Sequence, residues 1–246
     1  MLGIVGGSGL TRLSNLDVVR REVVRTPFGE PSGALTFGRI AGEDVVFLAR
    51  HGYGHTIPPH LVNYRANIWA LVHAGVRRAV SVASVGGIRA DLKPGMLVVP
   101  HQIIDYTWGR KMTFYEGQEA RVVHIDFTQP YDPVLRSNVL AAAHTAKVAV
   151  VDGAIYAATQ GPRLETAAEI DRLERDGADV VGMTGMPEAA LAREADLPYA
   201  AIAVVANYAA GRGDSASAIE FAQIEAVLKQ SMVQVRALIE RLCRGA

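Results

Sequence analysis

The chain has 246 residues, 50% of them hydrophobic, and Lys+Arg 25 balances Asp+Glu 25. That length suits a single α/β domain with a large core, and the balanced charge excludes a global field drawing in nucleic acid or an anionic membrane. Its one cysteine, Cys243, leaves no intramolecular disulfide and no Cys-based metal site, which points to a reducing cytoplasm.

The opening MLGIVGGSGL has no basic region, and glycines break its apolar run, so it does not read as a signal peptide. No run approaches the roughly 20 apolar residues of a spanning helix. Residues 2–5 predict a buried strand ending in Gly6-Gly7-Ser8-Gly9. This is either a bare glycine turn or a place where backbone N–H groups and the Ser8 hydroxyl meet an anion. The spacing lacks the third glycine of a dinucleotide fingerprint and the Lys of a P-loop.

Residues 18–24, 34–40 and 44–49 predict strands, the last leading into Arg50-His51-Gly52-Tyr53-Gly54-His55. Arg50 offers a planar fork of donors, and His51 adds a further donor or a proton. Two histidines four apart also admit a metal, but no carboxylate or Cys joins them at ligand spacing. Residues 63–74 have helical periodicity and end at Gly75. Residues 79–85 predict an apolar strand that ends in Gly86-Gly87 and offers backbone N–H groups around Ala83 and Ser84. A short strand is expected at 96–99, and an irregular segment, a plausible subunit contact, over 103–129. His124, within it, reads by itself as an ordinary structural histidine.

A helix is expected over 133–145 and one buried strand over 148–159. The stretch from 159 to 188 then reads as a polar loop, an amphipathic helix, a short buried strand and a second helix start. It places Glu165 where a helix begins, and Met183 and Thr184 just past Val180-Val181. Residues 199–206 predict a fully buried strand with Asn207 after it, either as a strand-end turn residue or as a group that donates and accepts in one plane. Residues 216–242 predict a long amphipathic helix with Ile219, Ile224 and Leu228 near one face. The expected architecture is a single α/β domain over residues 1–246, a largely buried mixed sheet flanked by helices.

Donors at Ser8, Arg50, His51, Ala83, Ser84 and Thr184 suggest a free phosphate or a phosphorylated ligand. Glu165 and Asn207 match a heterocycle edge, and Met183 offers soft apolar contact to a sugar face.

The segments GIVGGSGL, TPFGEPS, RHGYGHTIPPHLVNYRANIWAL, TQGPRLET and GADVVGMTGMPEAALARE resemble the trimeric purine nucleoside phosphorylases, most closely their 5′-methylthioadenosine phosphorylase branch. The resemblance runs the length of the chain. It implies phosphate-dependent cleavage of a purine N-glycosidic bond by a homotrimer with shared active sites, using phosphate as co-substrate and no other cofactor or metal. Carried across, Ser8, Arg50, His51 and Thr184 match phosphate ligands, and Ala83 and Ser84 a backbone phosphate contact. Met183 matches a ribose-packing methionine, and His124 a histidine lent by a neighbouring subunit to the 5′ side of the sugar.

Departures from the methylthioadenosine branch narrow the expected substrate. That branch places Asp at the positions of Asn207 and Ala209, and a small polar residue at that of Glu165. Enzymes of the family that cleave inosine and guanosine share the Glu and Asn found here. Glu165 can accept from the N1–H of a 6-oxopurine, and the Asn207 amide can bind O6 and N7. Ile224 stands where inosine phosphorylases keep a His for the 5′-hydroxyl, so a 5′-methylthio group is expected. The combination is 5′-methylthioinosine. Methylthioadenosine phosphorylase and a broad 6-oxopurine phosphorylase are the alternatives within the family, and a nucleoside-binding protein without catalysis is the alternative outside it.

Overall fold

The computed structural model describes residues 1–11, 13–117 and 121–245. Its elements, in chain order, are β1 (Leu2–Gly6), β2 (Asp17–Glu22), β3 (Leu35–Ile40), β4 (Glu43–Ala49), α1 (Tyr64–His73), β5 (Arg78–Gly87), β6 (Leu97–Val99), β7 (Gln102–Asp105), α2 (Pro133–Thr145), β8 (Val150–Asp152), β9 (Ile155–Ala158), α3 (Ala167–Arg175), β10 (Val180–Gly182), α4 (Gly185–Glu194), β11 (Tyr199–Tyr208) and α5 (Phe221–Cys243). The strands form one mixed sheet. β5 is its pivot, parallel to β1 on one side and to β11 on the other. β4 and β3 continue the sheet beyond β1, and β6 and β8 continue it beyond β11. The last two residues of β5, Gly86 and Gly87, also pair antiparallel with β10, which leads to β9 and β7. Glycine is required at this fork, because a Cβ on Gly87 would lie 2.4 Å from the Leu92 carbonyl oxygen.

Burial alternates along the central strands as the pleat demands. Ala201, Ala203 and Val205 face one core with Ile68 of α1 and Leu191 of α4. Ala200, Ile202 and Val204 face the other with Val139 of α2 and Leu238 of α5. Each fully buried Val, Leu or Ile side chain among them contributes about 1.5–3 kcal/mol, and each Ala methyl less. α3 lays Ile170 and Leu173 over Ala157 and Val181. The helix starts have local causes. Asn63 caps α1, Asp132 caps α2, and Thr166 and Glu169 form a capping box on α3.

Four expectations need correction. Residues 148–159 hold two strands rather than one, because Gly153 turns the chain at φ +88 between β8 and β9. The last helix begins at Phe221, so Ile219 lies in the loop before it. Glu165 precedes the α3 cap, Thr166, instead of opening the helix. Asn207 belongs to β11, after a register shift that separates it from Val205.

Candidate active site

Because β1, β4, β5 and β11 run parallel, their carboxyl ends gather at one edge, where ligands of open α/β sheets bind. A cavity of about 650 Å³ opens there, a volume that suits a small-molecule ligand. Ser8 reaches it from beyond β1, Arg50 and His51 from beyond β4, and Ala83 and Ser84 from within β5. Met183 and Thr184 enter between β10 and α4, Glu165 from before α3, Asn207 and Ala209 from the end of β11, and Ile224 from the first turn of α5. His124 is exposed and does not line the cavity of its own chain.

At one end the cavity is lined with anion donors. β1 stops at Gly6, opposite Val82, and β10 joins only at Gly86, so the β1-facing edge of β5 has no strand partner from Ala83 to Val85. Gly7 leaves room there, since a Cβ would sit 2.5 Å from the Val82 carbonyl oxygen and 2.8 Å from Arg50 Nη1. Arg50 is fully buried. Its Nε donates to Glu188 Oε2 at 2.6 Å, its Nη2 to Glu188 Oε1 at 2.8 Å and to Ser81 Oγ, and its Nη1 to the Val82 carbonyl at 3.2 Å. Of five guanidinium hydrogens, one, on Nη1, is left for a ligand. Burial disfavours the charged guanidinium, but the Glu188 carboxylate outweighs it and holds Arg50 above its ordinary range.

His51 is pushed down to about 4, first by burial and then by the charge of Arg50. It is therefore neutral near pH 7. With Nδ1 bonded to the Ile57 carbonyl at 2.8 Å, the proton sits on Nδ1 and Nε2 keeps a lone pair. Of the roles the sequence allows, this arrangement favours acceptance: Nε2 can take a hydrogen bond from a phosphate or sugar hydroxyl. Ser8 Oγ lies 3.0 Å from His55 Nε2. Thr184 occupies the N-cap position of α4 and makes no side-chain cap bond, so its hydroxyl is available to a ligand.

The base-reading candidates sit elsewhere along the cavity. Thr159 Oγ1 donates to Glu165 Oε1 at 2.6 Å. Burial raises the Glu165 carboxyl above its usual range. Asn207 Nδ2 donates to the Tyr208 carbonyl at 2.6 Å. One amide hydrogen and Oδ1 remain, so two separate N–H bonds to O6 and N7 are not available. Arg110 ties the loops together from behind. It donates to the carbonyls of Met183 at 2.8 Å and Gln160 at 2.9 Å, and also to those of Thr159 and Met186. Near Ile224 the wall is apolar, made with Ile219, Phe221 and Leu228.

Glu188, Arg110 and Thr159 escaped the sequence reading, and His55 entered it only as half of a metal-binding pair. Glu188 left one signal, a lone acid inside the apolar run GMPEAALA. Arg110 left none, because it lies in a stretch without periodicity. Among the described residues there is no group of three or more His, Cys, Asp or Glu able to hold a metal ion. No helix among them is long and apolar enough to cross a membrane.

Comparison with known proteins agrees with this geometry. Residues 1–244 match the Phosphorylase superfamily. A protein of Xanthomonas campestris pv. campestris named as a probable S-methyl-5′-thioinosine phosphorylase is 52% identical over 99% of this chain and 97% of its own. The 6-oxopurine nucleoside phosphorylase of Pyrococcus furiosus is 48% identical over 85% of this chain and 80% of its own. The structure of methylthioadenosine phosphorylase from Schistosoma mansoni in complex with adenine superposes with a TM-score of 0.94 at 33% identity, covering 99% of this chain and 90% of that one. With cavity, sheet topology and sequence in agreement over nearly the whole length, the chain belongs to the phosphorylase superfamily.

Proposed function

We propose that the protein is a purine nucleoside phosphorylase that converts 5′-methylthioinosine and phosphate to hypoxanthine and 5-methylthioribose 1-phosphate. One observation carries the substrate choice. A single cavity holds Glu165 with Asn207 and, elsewhere on its wall, the apolar set Ile219, Phe221, Ile224 and Leu228. An ionised Glu165 accepts from the N1–H of a 6-oxopurine, whereas adenine would present it with a second acceptor. The apolar wall suits a methylthio group and offers a 5′-hydroxyl no side-chain partner.

Phosphate is held by the free Arg50 N–H, the hydroxyls of Ser8 and Thr184, and main-chain N–H groups around Ala83 and Ser84. His51 Nε2 accepts from a hydroxyl. The C1′–N9 bond breaks with its electron pair going to the purine, which leaves an oxocarbenium-like sugar. The phosphate anion stabilises that cation and then forms the new C1′–O bond. Met183 packs on the sugar. The remaining Asn207 N–H donates to O6 or N7 and spreads the charge of the leaving purine, which becomes hypoxanthine by taking up the proton that hydrogenphosphate loses as it turns into the sugar 1-phosphate. Inorganic phosphate is the co-substrate, and no other cofactor enters the scheme.

The assembly belongs to the same reading: a homotrimer in which His124 of each chain serves a neighbour's 5′ side, working in the cytoplasm. Exposed apolar side chains on the irregular segment, Trp108, Val122 and Val123, support an interface there. Sedimentation of the protein should give three chains, and a monomer with full activity would refute the assembly.

The test of substrate is kcat/KM on methylthioinosine, methylthioadenosine, inosine and adenosine, with and without phosphate. A site built to bond a donor can reject an analogue lacking it by about 10⁴-fold. Comparable rates on methylthioadenosine would overturn the roles of Glu165 and Asn207. Hypoxanthine release without phosphate would replace the phosphorylase with a hydrolase, and binding without turnover would leave a nucleoside-binding protein. A broad 6-oxopurine phosphorylase is the second reading. Phe221 is 72% exposed, so a 5′-hydroxyl beside it would keep contact with water; a clear preference for inosine would select this reading.

A further inference from the structure

The cationic side of the phosphate pocket is nearly cancelled before any ligand arrives. Among the described residues lining the cavity the ionisable groups are Arg50, His51, His55 and Glu165. Arg50 is the one permanent cation. It forms a two-pronged pair with Glu188, both side chains being 0% exposed. Glu188 does not line the cavity, so it makes no contact with a ligand and acts on it by its field and by pairing with Arg50. Its Oε1 also receives the Tyr199 hydroxyl at 2.7 Å. Three of the five Arg50 hydrogens go to Glu188 and Ser81.

A pair of opposite charges this close presents a dipole to the ligand, not a net charge. Had Arg50 stood alone, much of the charge on a phosphate anion would be compensated in the ground state. Such binding tightens the Michaelis complex without favouring the transition state. A phosphate held by hydroxyls, main-chain N–H groups and one hydrogen of a neutralised arginine keeps its negative charge for the sugar cation. We propose that Glu188 is a positioning residue that sets the charge of the phosphate site: it cancels Arg50 so that bound phosphate spends its charge on the oxocarbenium-like sugar. This rests on the phosphorylase reading above.

Charge-setting by Glu188 should split the kinetic constants in an unusual way. Glu188→Gln leaves Arg50 uncompensated, so KM for phosphate should fall by roughly fivefold and inhibition by sulfate tighten by the same factor, while kcat drops by about 10²-fold. A residue that merely holds Arg50 in place predicts the opposite sign for phosphate, a rise in KM and weaker sulfate inhibition, and that result would overturn the proposal. Glu188→Asp keeps the charge and should recover most of the lost kcat. If the Gln variant does not fold, Glu188→Asp decides alone. KM for phosphate within about threefold of the parent supports charge-setting, and a larger rise overturns it. Failure of the underlying reading looks different: the parent enzyme would release purine without phosphate and be indifferent to sulfate.

Discussion

The phosphate end and the base end of the cavity are built to different standards. At the phosphate end, Arg50 is fully buried and every neighbour that fixes it is buried too: Glu188, Ser81 and the Val82 carbonyl. Those groups lie on β5 and α4 inside the sheet core, where packing admits little adjustment. At the base end, Glu165 stands on a loop just outside α3, held by the Thr159 hydroxyl, and Asn207 sits beyond a register shift in β11. The difference separates chemistry from selection. Phosphate chemistry is common to any nucleoside the site accepts, so its one permanent cation, Arg50, is locked into the core. Base choice can change with one or two side chains on loops, which do not disturb the sheet.

The largest expected effect tests the rigid end. Arg50→Met removes the cation and leaves Glu188 as an uncompensated buried charge, a change of about 3–5 kcal/mol in stability. Thermal unfolding should show a lowered Tm, and kcat/KM should fall by more than about 10³-fold. An unchanged Tm would mean that the pair is not buried as described. At the base end the expected loss is selective. Glu165→Gln should lower kcat/KM for methylthioinosine by about 10²-fold with little change in Tm. The same variant should narrow the gap to methylthioadenosine. If turnover of the 6-oxo substrate is unaffected, Glu165 is structural.

Sequence made the two ends legible to different degrees. The strands leading to Ser8, Arg50 and Ser84 are apolar runs punctuated by glycine, and that pattern alone singled out residues that the fold brings to one cavity. Whether Arg50 was free or paired was invisible, because Glu188 is 138 residues away and only the fold brings it to Nε. Similarly, the apolar run of 148–159 hid the turn at Gly153, and periodicity extended α5 backwards over residues 216–220. Asn207 was expected beyond its strand because a register shift leaves no trace in hydrophobic alternation. Arg110 shows the limit most clearly, since its partners are main-chain carbonyls, which look the same in every sequence.

Protonation sharpens the contrast further. The folded state holds His51 at about 4, below its unfolded value of about 6.5. The unfolded chain therefore binds the proton first. Its contribution to stability is fully present above about pH 6.5 and is lost as pH falls toward 4, amounting to about 3 kcal/mol at most. Chemical denaturation across that window should show the slope, and His51→Gln should flatten it. Glu165 is displaced in the opposite sense, upward by burial. Ionised Glu165 is the form that accepts N1–H. Hence kcat/KM for methylthioinosine should fall on the acid side with an apparent pKa above the ordinary carboxylate range, and Glu165→Gln should abolish that limb. A limb that persists in the variant would assign the titration to another group.

The smallest effect lies at the sugar side, where the comparison between locked and adjustable parts can be pushed furthest. Ile224 is half-buried in the first turn of α5, beside Ile219, Phe221 and Leu228. Its contact with a methylthio group is a matter of apolar area, so one side chain is worth about 1–3 kcal/mol of discrimination. Ile224→His supplies a polar partner for a 5′-hydroxyl and removes apolar surface. The ratio of kcat/KM for methylthioinosine to that for inosine should drop by about tenfold, with KM for phosphate unchanged because Arg50, Glu188 and Ser8 are untouched. If the substrate ratio stays put, the methylthio group is read elsewhere, and a contribution from a neighbouring chain becomes the place to look. If KM for phosphate moves with it, the two ends are coupled through α5, and the division between a rigid chemical end and an adjustable selective end fails.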